Sequence, residues 1–175
     1  MSAITAEPVA AGRLTLVPLS IEHADEMAAV LAGPELYAFT GGTPPTRQEL
    51  LARYERWLAG SPDPAVSWCN WVIRLHDSGC LAGTVQATIT TGGEPAPEVA
   101  EVAEVAWVVG TPWQGQGIAT EAARALVAWL RQQSVTTIIA HVHPDHQASA
   151  AVAAAAGLTP TSQLHDGEVR WQLGP

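Results

Sequence analysis

The chain has no lysine. All eight basic residues among its 175 are arginine, which excludes a phosphate loop built on lysine, a Schiff-base lysine and a lysine nucleophile. Charge is scarce as well: 14% of residues are charged, against roughly a quarter in an average domain. What charge there is leans acidic, to a net −9, so a basic nucleic-acid-binding face is not expected. An acidic body instead favours cationic small molecules or peptides through long-range attraction. Cysteine is limited to Cys69 and Cys80. They fall on what read as the two arms of a hairpin, and both are expected as reduced, buried packing residues of a cytoplasmic protein. No apolar run approaches the about 18 residues of a membrane span. Met1 to Val9 lacks a basic n-region and a long apolar h-region, so no secretory leader is expected.

What the chain does have is apolar bulk. Hydrophobic residues make up 47%, a figure inflated by alanine, but seven tryptophans and many Val, Leu and Ile supply large surfaces to bury. One folded domain spanning residues 1–175 is expected.

The residue pattern predicts mixed elements. Arg13 to Leu19 alternates as a strand that Pro18 ends. Ser20 caps a helix from Ile21 to Leu31, and Thr46 caps a second from Arg47 to about Leu58, whose Leu50, Leu51, Tyr54, Trp57 and Leu58 make a buried face. Strands follow at Asn70 to Leu75 and Leu81 to Thr90, joined by a turn. A Gly/Pro/Glu loop, Thr91 to Glu98, leads to a strand from Glu101 to Val109. A helix over Ile118 to Gln133, a strand over Val135 to Val142, a small-residue helix over Ser149 to Ala156 and a last strand over Val169 to Leu173 complete an α/β domain.

The informative stretch is Ala103-Glu-Val-Ala-Trp-Val-Val-Gly-Thr-Pro-Trp-Gln-Gly-Gln-Gly-Ile-Ala-Thr-Glu-Ala122, a strand running through a glycine turn into a helix. Gly115 and Gly117 let backbone approach a ligand, and the free N–H groups from Gly117 to Thr120 point out of the helix start, an arrangement that attracts phosphate. A dinucleotide-binding G-x-G-x-x-G unit fits poorly. Thr120 stands at the third glycine, no acid follows about 20 residues on, and Pro112-Trp113 separates strand from glycines.

Gln114-x-x-Gly117-x-Ala119 fits the Q/R-x-x-G-x-G/A signature, and the whole run resembles the RimJ/RimL-like branch of the GNAT N-acetyltransferase superfamily. The stretch His143-Pro-Asp-His-Gln-Ala-Ser149 with Ala156-Gly157-Leu158 extends the resemblance. The resemblance implies a mostly antiparallel sheet with a central pair of splayed parallel strands, flanked by helices. It also implies acetyl-CoA as co-substrate, with no metal, and acetyl transfer to a primary amine by direct attack in a ternary complex. The acceptor would be a peptide N-terminus or a small cationic amine. The pyrophosphate would lie on Gln114, Gly115, Gln116, Gly117, Ile118, Ala119 and Thr120, and the pantetheine arm along Trp107, Val108 and Val109, where strands splaying after Val109 and His141 leave backbone groups unpaired.

Direct transfer needs a base for the amine and a group for the departing thiolate. Glu104 matches the glutamate of the branch's strand and is the first candidate base, with Glu101 and His141 as alternatives. The family tyrosine would fall at Ala153, so no tyrosine acid exists; Ser149 matches the serine that some relatives place near the thiol. His146 stands where the branch has an asparagine that bonds the cofactor arm. His141, His143 and His146 lack the partner set of a zinc site. Tyr37, Phe39 and Thr40, before Gly41-Gly42, are expected to wall the acceptor pocket, with aromatic surface from Trp71 and Trp107. A non-catalytic acyl-CoA-binding sensor or scaffold is the alternative. The alanine run from Ala150 to Ala156 leaves a longer acyl chain open, though tight helix packing fits it better. The chain is expected as a monomer or homodimer, without membrane or nucleic-acid partners.

Overall fold

A computed structural model describes residues 4–91 and 101–175. The stretch read as a loop up to Glu98 lies outside the described residues from position 92. The described residues form eight strands and four α-helices. The strands are β1 (Val9–Ala10), β2 (Leu14–Pro18), β3 (Val66–Leu75), β4 (Leu81–Thr90), β5 (Val102–Val109), β6 (Thr137–Val142), β7 (Thr159–His165) and β8 (Glu168–Leu173). The helices are α1 (Ala24–Val30), α2 (Arg47–Ala59), α3 (Ile118–Gln132) and α4 (Gln147–Ala155). One sheet runs in the order β1-β2-β3-β4-β5-β6-β8-β7, antiparallel throughout except for the parallel pair β5–β6.

Helix boundaries follow capping chemistry. Ser20 does cap the first helical segment, but the turn from Ile21 to His23 is 3-10, and His23 Nδ1 accepts from the Ser20 N–H at 3.0 Å. Thr46 and Glu49 form a reciprocal capping box at the start of α2. Leu50 and Tyr54 are buried as expected, whereas Leu58 is 49% exposed in the final turn, where nothing covers it. Helix α4 ends at Gly157 (φ 98°), with Leu158 N–H bonded to Ala153 O and Gly157 N–H to Ala154 O.

Two cores lie on opposite faces of the sheet. On one face Leu14, Leu16, Trp71, Ile73, Val105 and Ile138 pack with Leu126 and Leu130 of α3 and Ala153 of α4. Trp71 meets Trp129 edge-on at 5.1 Å, and its indole N–H donates to Glu7 O. On the other face Val72 and Leu81 pack with Met27 of α1 and with Leu50 and Tyr54 of α2. Cys69 is buried, and its S–H points to Ile4 O; burial pushes its thiol up to about 11. Cys80 departs from expectation: it is exposed, because it precedes β4 in the turn rather than lying within the strand. Both thiols are free.

The sequence reading missed β7. Its residues, Thr-Pro-Thr-Ser-Gln-Leu-His, are polar and mostly exposed, so no buried face marks them as a strand. The turn Asp166-Gly167, with φ of 49° and 81°, is the hairpin signal that was there to be read.

Candidate active site

The site is built on a fork between β5 and β6. Their parallel pairing holds only for Val102↔Thr137, Ala103↔Ile138 and Glu104↔Ile139. Beyond Glu104, β5 stays paired with β4 as far as Gly83↔Val109, while β6 stays paired with β8 as far as Val142↔Val169. The strands therefore part at Glu104 and Ile139, earlier than the expected Val109 and His141. Each strand has one edge facing the gap, and those backbone groups are available to an extended, peptide-like ligand.

Glu104 sits at the point of the fork. Its Oε1 lies 2.6 Å from His141 Nδ1 on the facing strand, with side-chain exposures of 49% and 13%. The first candidate base and one of its two alternatives thus form one pair. Glu101 lies outside it: it precedes β5 at the closed end of the parallel pair, and its backbone carbonyl accepts from Thr136 and Thr137 N–H. Being three residues from Glu104, it belongs to the opposite pleat.

At its far end β5 enters the glycine turn. Gly115 and Gly117 both have left-handed φ, 76° and 78°, and Gly117 is the N-cap of α3. The Gln114 side-chain amide donates to Val109 O at 3.0 Å, fixing the turn to the strand. Among the described residues, no acceptor takes the backbone N–H groups of Gly115, Gln116, Gly117, Ile118, Ala119 or Thr120, and the first α3 bond is Glu121 N–H to Gly117 O. Converging N–H groups at the start of a long helix are suited to hold a phosphate.

Two arginines beside this turn carried no motif signal. Arg13, immediately before β2, bonds Glu121 twice: its backbone N–H donates to Oε2 at 2.9 Å and its Nε to Oε1 at 3.1 Å. Burial works against the charged Glu121, but these bonds prevail and hold its carboxyl below the usual range. With Arg124, Gly117 and Thr120 they line an open groove of about 570 Å³.

The other end of the fork is bounded by α4. Trp107 Nε1 donates to Ser149 Oγ at 3.0 Å, joining β5 to the first turn of α4. His146, the α4 N-cap residue, stacks on Phe39 at 4.4 Å with ring planes 18° apart, and burial lowers its pKa. Phe39 also meets His143 at 5.1 Å. The segment of Tyr37, Phe39 and Thr40 therefore reaches the α4 side of the fork, and Tyr37 is anchored through its hydroxyl to Leu31 O. Trp71 is a correction. It is fully buried on the opposite face of the sheet and cannot wall an acceptor pocket. Val108 is 38% exposed on the face that also carries Glu104. Among the described residues no group of three or more His, Cys, Asp or Glu could hold a metal ion, and no helix is long and apolar enough to cross a membrane.

Solved acetyltransferase structures share this fold. A solved GNAT-family acetyltransferase from Bacillus anthracis superposes with a TM-score of 0.73 at 16% identity, covering 95% of this chain and 98% of that one. An acetyltransferase from Agrobacterium tumefaciens gives 0.71 at 24% identity, covering 100% and 98%. RimL, a ribosomal L7/L12 α-N-protein acetyltransferase solved with coenzyme A, gives 0.71 at 16% identity, covering 95% and 97%. These likenesses are of fold. No curated protein matches the sequence. The sequence profile of the acetyltransferase (GNAT) domain matches residues 13–159, most of the chain, and the protein belongs to that family of acetyltransferases.

Proposed function

We propose that residues 1–175 act as one domain that transfers acetyl from acetyl-CoA to a primary amine by direct attack. The observation that carries this reading is that a single strand, β5, bears a carboxylate where the fork opens and ends in a phosphate-type turn. Two relatives of the fold were solved with CoA or acetyl-CoA. In this chain the pyrophosphate lies on the N–H groups of Gly115 to Thr120. The nucleotide end occupies the groove of Arg13 and Arg124. The pantetheine arm pairs with the open edge of β5 from Trp107 to Val109, beside His146.

Glu104, hydrogen-bonded to His141, takes the proton from the acceptor ammonium. The free amine attacks the thioester carbon, and the carbonyl oxygen gains negative charge that a β5 N–H stabilises. Collapse of the adduct breaks the C–S bond, and the proton shed by the adduct nitrogen passes to the departing thiolate to give the free thiol of CoA. Ser149, whose Oγ already accepts from Trp107, keeps its own O–H for the thiolate. Trp107 thereby fixes the hydroxyl that meets the sulfur.

The test is calorimetric titration with acetyl-CoA and CoA, followed by a thiol-release assay over an amine panel. Binding with amine-dependent release is expected. Binding with no release on any amine would replace this reading with the acyl-CoA-binding module, and no binding would overturn the assignment of the glycine turn.

A further inference from the structure

The reading above leaves the acceptor open, and the sheet face beside Glu104 narrows it. The ladder places Glu104 opposite Thr88 and Thr88 opposite Trp68, and in the next row Ala106 opposite Gln86 and Gln86 opposite Asn70. Residues opposite one another in a ladder present their side chains on the same face. Thr88, Gln86, Asn70 and Trp68 therefore continue the face that carries Glu104. Helix α2 brings Trp57 over this floor, and between them lies a small, partly open cavity of about 70 Å³.

Its chemistry is specific. Two carboxamides and a hydroxyl line it, each able both to donate and to accept. Asn70 spends its backbone carbonyl on the Leu19 N–H, and no hydrogen bond joins the Asn70, Gln86 or Thr88 side chain to any other described residue. Among the described residues no charged side chain lines it, and the Arg53 guanidinium stands 6.0 Å over the Trp57 ring. A second ammonium would be desolvated there without a counter-charge and repelled by Arg53. A neutral group that both donates and accepts would satisfy all three side chains. The volume is about that of two waters at ~30 Å³ each, room for a carboxamide but not for an aromatic ring. With neighbouring strands ~4.8 Å apart, the cavity lies one to two strand spacings from Glu104, about 5–10 Å.

We propose that this cavity is a carboxamide-reading subsite and that the acceptor is an amine carrying an amide group about 5–10 Å from its nitrogen. The amide comes from a small amino amide or from the second peptide group of a chain N-terminus. Diamines and polyamines are disfavoured. The inference rests on the acetyltransferase reading for where the amine sits, and its test separates the two.

The protein is assayed with acetyl-CoA and three length-matched acceptors, 4-aminobutanamide, n-pentylamine and 1,4-diaminobutane, with glycylglycinamide as the peptide arm. In parallel, saturation-transfer NMR follows 4-aminobutanamide binding in the presence of CoA. A kcat/KM for 4-aminobutanamide roughly tenfold or more above both other amines is expected, from one to two hydrogen bonds gained. Gln86→Leu should bring it down to the n-pentylamine value with the Kd for CoA unchanged, and Gln86→Glu should shift preference to 1,4-diaminobutane. A higher value for glycylglycinamide than for 4-aminobutanamide assigns the amide to a peptide, and the reverse to a small amino amide. Turnover without amide preference, or a preference that both Gln86 variants leave intact, overturns the subsite while acetyl transfer stands. No turnover on any amine, with an NMR signal that Gln86→Leu abolishes, keeps the subsite and overturns the transferase reading. Neither turnover nor signal overturns both.

Discussion

Glu104 Oε1 and His141 Nδ1 meet at 2.6 Å across the fork, Glu104 standing in the last parallel pair and His141 two residues past it on β6. The register places Glu104 opposite Ile139, so His141 reaches back from two residues further along β6 on the same face. The bond engages Oε1 of the carboxylate. Glu104→Gln should lower kcat by about 10²–10⁴-fold, the range of a lost general base, with the Kd for acetyl-CoA unchanged. His141→Phe should cost less and act mainly on the pH profile of kcat. Full activity in Glu104→Gln would remove it from the role of base.

Gly117 takes a left-handed φ of 78°, and a Cβ there would lie 3.3 Å from the Arg13 guanidinium. Gly117→Ala therefore combines backbone strain, ~1 kcal/mol, with pressure on the Arg13–Glu121 pair. A fall in acetyl-CoA affinity of tenfold or more is expected, because the N–H groups proposed to hold the pyrophosphate are displaced with the turn. Gly115→Ala carries the same strain with open space around its Cβ, so it should bind more tightly than Gly117→Ala. Equal affinities in calorimetry would show that strain alone matters.

The glycine turn was legible in sequence because local backbone geometry demands those residue types in that order, whereas Glu104 was singled out only by its match to the family's strand glutamate. Gln114, Gly115 and Gly117 determine a turn with little help from elsewhere. Trp71 was not legible: an aromatic on an alternating strand looks the same from either face, and only packing against Trp129 decides which one is buried. Arg13 was equally silent, since its partner Glu121 is distant in the chain and the sheet brings them together. The position of the fork depends on where β4 and β8 hold β5 and β6 apart, and periodicity within one strand does not record that.

Ser149 accepts a hydrogen bond from the Trp107 indole at 3.0 Å. Ser149→Ala leaves that N–H without its acceptor, a loss of about 1–3 kcal/mol of stability in a part-buried site. A proton donor or sulfur partner lost at the same time would lower kcat as well. Ser149→Thr keeps the oxygen and should retain most of both. A kcat unchanged in Ser149→Ala, with the melting temperature lowered, would leave the serine a structural tie only.

His23 makes the start of α1 sensitive to pH. Burial lowers its pKa first, and Arg74 adds to the effect, against Glu22 and Glu26, which raise it. Its Nδ1 must be unprotonated to accept from the Ser20 N–H. The folded pKa lies below the ordinary 6.5, so the unfolded chain binds the proton more readily. Stability from this group is therefore complete above 6.5 and declines as pH falls through 6.5 toward the folded pKa. His23→Asn keeps an acceptor without titrating, and its urea midpoint should fall less than that of the unmodified protein between pH 7 and pH 5. Parallel declines would exclude His23 as a source of the pH dependence.

Tyr54 is 1% exposed, and its hydroxyl has no partner among the described residues. Burial pushes its pKa up to about 12. The ring itself is well used: it packs in the core between α2 and the sheet and tilts against Trp57 at 5.9 Å. Tyr54→Phe retains that packing and removes a hydroxyl that loses its water on folding. An unsatisfied buried hydroxyl costs about 1–3 kcal/mol, so the variant should match or exceed the parent in stability, by up to that amount. A urea midpoint shifted upward with an unchanged slope is the expected result. A loss beyond about 1 kcal/mol would mean that the hydroxyl is bonded in solution, and Trp57, which roofs the proposed acceptor cavity, should then show altered fluorescence in the variant.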